Sequence, residues 1–331
     1  MKFSQPRIKR NIGHPEQILF PVRRRGLGAG ACFCFLLLAL SAAFSQRARC
    51  EEIVFAFYNV ENYQTAAEGG HTLPASQPTP PPKPEASVAA VVRVIAVASP
   101  QILGLAEMGG GAAIADLRAR LKAVGLDYPH VEWVEGADAD RHLALLSQFP
   151  IVEKASRADI PFDLDGRLRR VSRGVLDATV DLGRGRRLRL VGAHWKSRRD
   201  TPGFDQAQFR AREAELLRKD VEKILAVDPD VWLLVFGDLN DTKNEFPVRE
   251  LLGPPGSARR LTPLPLTDGR QEFWTHYWKT ADIYSRIDYI LASPALVARV
   301  DAERSGILDA PDWDAASDHR LIFTTLMLDS P

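Results

Sequence analysis

Cysteine is nearly absent from this chain of 331 residues: there are three, and Cys32 and Cys34 fall inside one apolar run near the start. That leaves Cys50, and a lone thiol cannot close an internal disulfide, so a disulfide-stapled scaffold is excluded. No grouping of Cys and His has the spacing of a structural zinc site. An excess of one charge is lacking too, since the formal net charge is only +1. A surface built throughout for nucleic acid would be strongly basic. No internal repeat is found either. What remains, 45% hydrophobic and 26% charged residues, is the composition of a globular protein able to bury a large core.

The near-zero charge hides an asymmetry. Residues 1–45 carry seven basic side chains against Glu16 alone, which gives that segment +6 and leaves −5 for the rest. Arg23-Arg24-Arg25 precedes a charge-free run, residues 26–44, and small residues close it at Ser41-Ala42-Ala43 and Ser45. Basic, apolar and small in that order predicts a signal peptide over residues 1–45 and an exported protein, periplasmic or extracellular. An uncleaved membrane anchor is the competing reading, because the run approaches spanning length.

Beyond it, residues 53–58 read as a β-branched and aromatic strand. Residues 69–84, with Pro78-Thr79-Pro80-Pro81-Pro82, form a loop that can be neither helix nor central strand. Val88, Val91, Val92 and Ile95 share one face of a helix over residues 85–98. Strands follow at 102–106, 143–146, 175–180 and 188–193, with Gly183 and Gly185 marking a hairpin between the last two. Residues 204–226 predict a long surface helix, and 231–236, 287–291 and 321–328 further strands. Such interleaving describes one α/β domain of mixed sheets over residues 50–331.

Polar clusters interrupt the strand ends. The apolar run before Gly237 stops at Asp238-Leu239-Asn240-Asp241, Ile287 is followed by Asp288, and Ser317-Asp318-His319 precedes the last strand. Carboxylates suit a hard cation, a base is needed to activate water, and a phosphoryl oxygen needs a hydrogen-bond donor. If the chain is still extended, Asp238 and Asn240 point the same way; a Gly-Asp turn is the alternative. Glu107 at a strand end reads equally as a solvated loop residue or as a ligand, and Asn59 as a turn cap. Asp318 and His319 need a turn between them to share one site. Lys196, Arg198 and Arg199, and a second group of Arg167, Arg169, Arg170 and Arg173, read as solvated surface unless they flank that site.

In order, the clusters are Tyr58-Asn59-Val60-Glu61-Asn62, Leu105-Ala106-Glu107-Met108, Ser147-Gln148-Phe149-Pro150, Ser172-Arg173-Gly174, Ala193-His194-Trp195-Lys196, Gly237-Asp238-Leu239-Asn240-Asp241, Arg286-Ile287-Asp288-Tyr289 and Ser317-Asp318-His319. Together they resemble the endonuclease/exonuclease/phosphatase superfamily with its DNase I-like fold, across residues 52–328. The resemblance implies a four-layer α/β/β/α sandwich of two mixed β-sheets, with the active site at one edge. It implies Glu107 as the principal ligand of Mg²⁺ or Mn²⁺, with Asn59 beside it and Asp318 as a metal or water ligand from the other side. Asp238 becomes the water-activating residue with Asn240 as partner, Asp288 the orienter of His319, and His194 and His319 phosphate contacts. Arg173 and Lys196 are expected to bind substrate. Ala193 stands where the family pattern has an amide.

These readings lead to a metal-dependent phosphodiesterase, acting as a monomer on DNA or RNA. A phospholipid head group or small phosphomonoester is the alternative substrate.

Overall fold

The structure is a computed structural model that describes residues 52–66, 80–199 and 205–328, all within the compact unit Cys50–Pro331. The segment read as a signal peptide, Cys50 and most of the proline-rich loop lie outside the described residues.

Two six-stranded sheets form the centre. In one, strand Glu52–Tyr63 runs antiparallel to Ile322–Met327 and parallel to Ile102–Met108. Val300–Ile307, His142–Ser147 and His130–Val134 complete it. In the other, Leu233–Asp238 runs parallel to Arg186–His194 and antiparallel to Asp288–Ala292. Leu176–Gly183, Ile151–Lys154 and the short Thr262–Pro263 lie outside these. Both sheets are therefore mixed.

Three apolar layers hold the assembly. Between the sheets lie Phe55, Phe57, Leu145, Leu190, Leu234, Phe236 and Ile290, all buried. Helices Glu85–Ala98 and Gly111–Ala123 cover the first sheet through Val91, Ile95, Leu117 and Leu121. Helix Gln206–Val227 covers the second through Leu217, Val221 and Leu225. Each fully buried Leu, Val or Phe contributes about 1.5–3 kcal/mol. Phe236 fixes the gap between the sheets: its ring meets Phe55 and Phe57 at 5.0 and 5.5 Å. A Cβ on Gly104 would lie 2.4 Å from that ring, so no larger residue fits there. The four-layer DNase I-like sandwich expected from the sequence is the fold.

Element boundaries differ at informative places. The first strand runs on to Tyr63 and the second to Met108, past the polar residues at which apolar patterning stops. The hairpins Pro161–Leu164/Arg167–Arg170 and His276–Trp278/Ile283–Ser285 are too short to show a period. Among the described residues, no helix is long and apolar enough to cross a membrane.

Candidate active site at the rim of the sandwich

Side chains alternate across a strand. The residues that face the other sheet are Phe55 and Phe57, then Asn59; on the second sheet they are Leu234 and Phe236, then Asp238. The apolar inner face thus turns polar at one rim. Register does the rest: Asp238 pairs with His194 on one neighbour strand and with Asp288 on the other. Cross-strand partners share a face, so three polar side chains from three strands stand in a row. Across the gap, Asn59 Nδ2 donates to Asp238 Oδ2 at 3.1 Å and lies 3.4 Å from Glu107 Oε1.

Glu107 reaches this rim only through an irregularity. Ala106 faces the inter-sheet core, so strict alternation would turn Glu107 away. Between Asn59 and Tyr63 the pairing slips, and Asn59–Ala106 is followed by Tyr63–Met108. Glu61, Asn62 and Glu107 take positive φ of 46°, 54° and 60°, a conformation that costs a non-glycine residue energy and clusters at functional sites. The bulge re-aims the carboxylate. Its Oε2 accepts from the Asn62 backbone N–H at 3.1 Å, and its Oε1 lies 3.8 Å from His194 Nε2.

Asp238 is followed by a turn rather than by extended chain. Asn240 has φ 49°, its N–H donates to Asp238 Oδ1 at 2.9 Å, and its side-chain amide donates to the Trp195 carbonyl at 3.0 Å. Of the two readings open in the sequence, extended chain or turn, the turn is the one found, because the strand ends at Asp238. Gly237 permits the close approach of the neighbouring strand: a Cβ there would sit 1.8 Å from the Ala193 carbonyl oxygen. Asp241, in the bend that follows, is buried against Arg210 at 3.0 Å.

Asp318 and His319 lie in a non-regular link before strand Ile322–Met327, which supplies the turn they need. Ser317 Oγ donates to the Asn59 carbonyl at 2.8 Å and accepts from the His319 N–H at 3.1 Å, tying the link to the first strand. His319 Nδ1 meets Asp288 Oδ2 at 2.8 Å. Its Nε2 lies 3.7 Å from Asp238 Oδ2 and 3.8 Å from Asp318 Oδ1.

The two imidazoles titrate in opposite directions. Burial pushes His194 well below its ordinary value, and Arg173, His319, Arg141 and Lys196 add to that. Burial opposes charge on His319 as well, but the adjoining Asp288, with Asp238 and Asp318, holds it well above its ordinary value. Asp238 is pushed up to about 7 by burial and by the Asp288 carboxylate, against the pull of His319.

The basic groups separate. Arg167 and Arg170 sit on the exposed hairpin, Arg170 paired with Asp159 at 2.6 Å. Arg173 is buried: Nη2 meets Asp138 at 3.0 Å and Nη1 donates to the Trp195 carbonyl at 3.2 Å. Lys196 is half-buried, and burial and then Arg173 lower its pKa.

Several residues at this rim carry no sequence signal. Buried Glu213, on the long helix, accepts from the backbone N–H of Ser172 at 3.0 Å and of Lys196 at 2.7 Å, fixing both loops. Thr275 Oγ1 accepts from the N–H of Ile287 and of Asp288. Arg141 Nε lies 3.8 Å from Glu107, and Lys83 donates to the Glu61 carbonyl at 2.9 Å. His276 packs against His319, the rings tilted at 48° with centroids 4.6 Å apart. An isolated Lys, Arg or His between elements looks like any surface residue until the fold places it.

The donor chemistry at Glu107 suits a hard divalent cation. Burial and the nearby Asp318 and Glu107 carboxylates push Glu61 above its ordinary value, against the pull of Lys83, and beside Glu107 the buried Asn62 Oδ1 has no hydrogen-bond partner. A second convergence, Asp238 with Asp288 and His319, is fully buried.

The fold and rim define a DNase I-like protein with an acidic and imidazole site at one edge of its sheets. The profile of the Endonuclease/Exonuclease/phosphatase family matches residues 56–319, and the chain belongs to that family. Among solved structures it resembles truncated TDP2 of Caenorhabditis elegans at 16% identity, over 83% of this chain and 98% of that one, with a TM-score of 0.55. The human nocturnin catalytic domain with bound sulfate aligns at 18% identity, 83% and 93% coverage and TM-score 0.57. For sphingomyelinase C of Streptomyces griseocarneus the values are 16%, 83%, 99% and 0.53. No curated protein matches by sequence.

Proposed function

We propose that the chain is a metal-dependent phosphodiesterase that hydrolyses DNA or RNA. One observation carries this reading: Asp238 stands in register between His194 and Asp288 and is joined by Asn59 to Glu107 across the sheet gap.

Glu107, with Asp318, Asn59 and the neighbouring Asn62 oxygen, is the set of residues to hold Mg²⁺ or Mn²⁺. When bound, that ion supplies a Lewis acid for the charge that develops on the phosphoryl oxygens. Asp238 takes the proton of the attacking water; its raised pKa brings it toward the range a general base needs near neutrality. Asn240, held by Trp195, fixes the loop beside it. His319, kept protonated by Asp288, donates from Nε2 to a phosphoryl oxygen, a preorganised donor aimed where charge accumulates. His194, kept neutral by its buried basic surroundings, is the second phosphate contact. Lys196 adds positive charge at the margin, and Arg173 acts from beneath by holding the Trp195 carbonyl and Asp138. Export and a monomeric state belong to the same proposal and rest on the sequence.

A second substrate class is favoured by a specific feature. Phe273, Trp278, Ile283 and Tyr284 are each about half exposed or more around the hairpin that bears His276. Such a surface suits a lipid aggregate, and one of the structural relatives is a sphingomyelinase. Purified protein assayed on plasmid DNA, RNA, sphingomyelin vesicles and a chromogenic phosphodiester, each with Mg²⁺ and with EDTA, decides between them. Cleavage of nucleic acid that EDTA abolishes is the expected result. Turnover of sphingomyelin alone would move the assignment to the lipid, and EDTA-resistant turnover would remove the metal from it.

A further inference from the structure

Beside the proposed Mg²⁺ position lies a second set of donors with different chemistry. The hairpin His276–Trp278/Ile283–Ser285 bridges back to His319, and this brings two imidazoles and a carboxylate together. His276 Nε2 is 3.6 Å from Asp318 Oδ2, and His319 Nε2 is 3.8 Å from Asp318 Oδ1. One ligand atom of each residue lies within 4.8 Å of the others. A tetrahedral ion bound at about 2.0–2.2 Å keeps its donors roughly 3.3 Å apart, so closing this site needs the two carboxylate contacts to shorten by a few tenths of an ångström and the two imidazole nitrogens, which lie within 4.8 Å, to approach by up to about 1.5 Å.

Both rings are also held from behind. His319 Nδ1 rests on Asp288 Oδ2 at 2.8 Å and His276 Nδ1 faces Ser285 Oγ at 3.4 Å, which leaves each Nε2 turned toward Asp318. An imidazole whose far nitrogen is fixed by a carboxylate or hydroxyl is the usual form of a metal-binding histidine. Asp318 is 36% exposed and His276 20%, so an ion can enter from solvent. Imidazole nitrogens suit zinc and its neighbours, whereas magnesium prefers oxygen and water.

We propose that His276, Asp318 and His319 form a site for a borderline transition metal, Zn²⁺ in the first instance, whose occupation arrests hydrolysis. The arrest rests on the proposed function. An ion on His319 Nε2 displaces the proton there to solvent and so removes the donor meant for the phosphate, and it draws Asp318 away from the Mg²⁺ position. The binding itself does not depend on what the substrate is.

The test uses the full chain in excess Mg²⁺, titrated with Zn²⁺ by equilibrium dialysis and with Co²⁺ by visible absorption. Wild type is expected to bind one Zn²⁺ and to give a Co²⁺ spectrum of imidazole ligation. In His276→Ala, Zn²⁺ affinity should fall by about 100-fold or more, since losing merely an outer partner of a metal-bound histidine costs about 10–100-fold. Turnover of that variant in Mg²⁺ alone should persist and should resist Zn²⁺ that stops the wild type. His276→Gln, closer in shape, gives the same comparison if the alanine variant is unstable. Unchanged Zn²⁺ affinity in both variants, or no Zn²⁺ bound by wild type in Mg²⁺, overturns the site. Zn²⁺ bound through His276 without loss of turnover overturns the arrest. Dialysis and spectrum are read without substrate, so failure of the nuclease assignment leaves this test intact.

Discussion

The two halves of the rim are built on opposite principles. On the first sheet, Glu61, Asn62 and Glu107 sit on a bulge with three positive φ angles, like charges face one another, and an acceptor is left without a donor. On the second sheet, Asp238, Asp288 and His194 lie in regular register, nearly inaccessible, and His319 is locked onto Asp288. Strain and unsatisfied oxygen on one side fit a cation that arrives from solution. Burial and short contacts on the other fit protons that must stay where they are put. The active-site reading requires both halves, and each can be broken separately.

The largest effect should come from the second-sheet half. Asp238→Asn or His319→Ala is expected to lower turnover about 10²–10⁴-fold, as for the loss of a positioned acid or base, while calorimetry shows Mn²⁺ affinity kept. Near-normal turnover in either variant would remove the roles given to them.

Arg173→Ala comes next. It removes the nearer cation of Asp138, which keeps Arg141 at 3.6 Å and two backbone N–H donors, so the stability cost should fall below the roughly 3 kcal/mol of an uncompensated buried pair. Substrate affinity should then fall alike at low and high salt, with a lower melting temperature. A loss confined to low salt would instead make Arg173 a direct phosphate contact.

Glu107→Gln tests the first-sheet half. Mn²⁺ affinity should drop at least about tenfold, about 1.4 kcal/mol, while metal-free melting is unchanged or raised because repulsion with Glu61 is relieved. A lower metal-free melting temperature would show the carboxylate to be structural.

Asp288→Asn should reduce turnover only several-fold, and its stability signature is in the pH dependence. A group whose folded pKa is raised, as for His319, stabilises fully below its unfolded value of about 6.5 and loses this as pH rises through the folded value. The melting-temperature gap between wild type and Asp288→Asn should therefore be widest below pH 6.5 and close at alkaline pH. His194, shifted the other way, acts with the opposite sign: the fold loses stability as pH falls below about 6.5, and His194→Asn should flatten that limb. The smallest effect is that of Lys196→Ala, a few-fold loss of polyanion affinity seen at low salt and erased at high salt.

Much of this was legible in the chain itself. Helix Glu85–Ala98, the Gly183–Gly185 hairpin and the alternating strands follow from periodicity, because burying one face of a regular element imposes its period on the sequence. Asn59, Glu107, Asp238, Asp288 and His319 stand out because a polar residue that ends an apolar strand is costly unless it has work to do. Tertiary structure alone decided the rest. The register that sets Asp238 between His194 and Asp288, and the bulge that turns Glu107 inward, depend on pairings between segments far apart in the chain. Burial of Arg173 and Asp241 depends on what packs over them. Glu213, Thr275, Arg141, Lys83 and His276 have no local pattern, since one polar residue in a loop or helix obeys no period. Their meaning is a distance to another segment, and only the folded chain sets that distance.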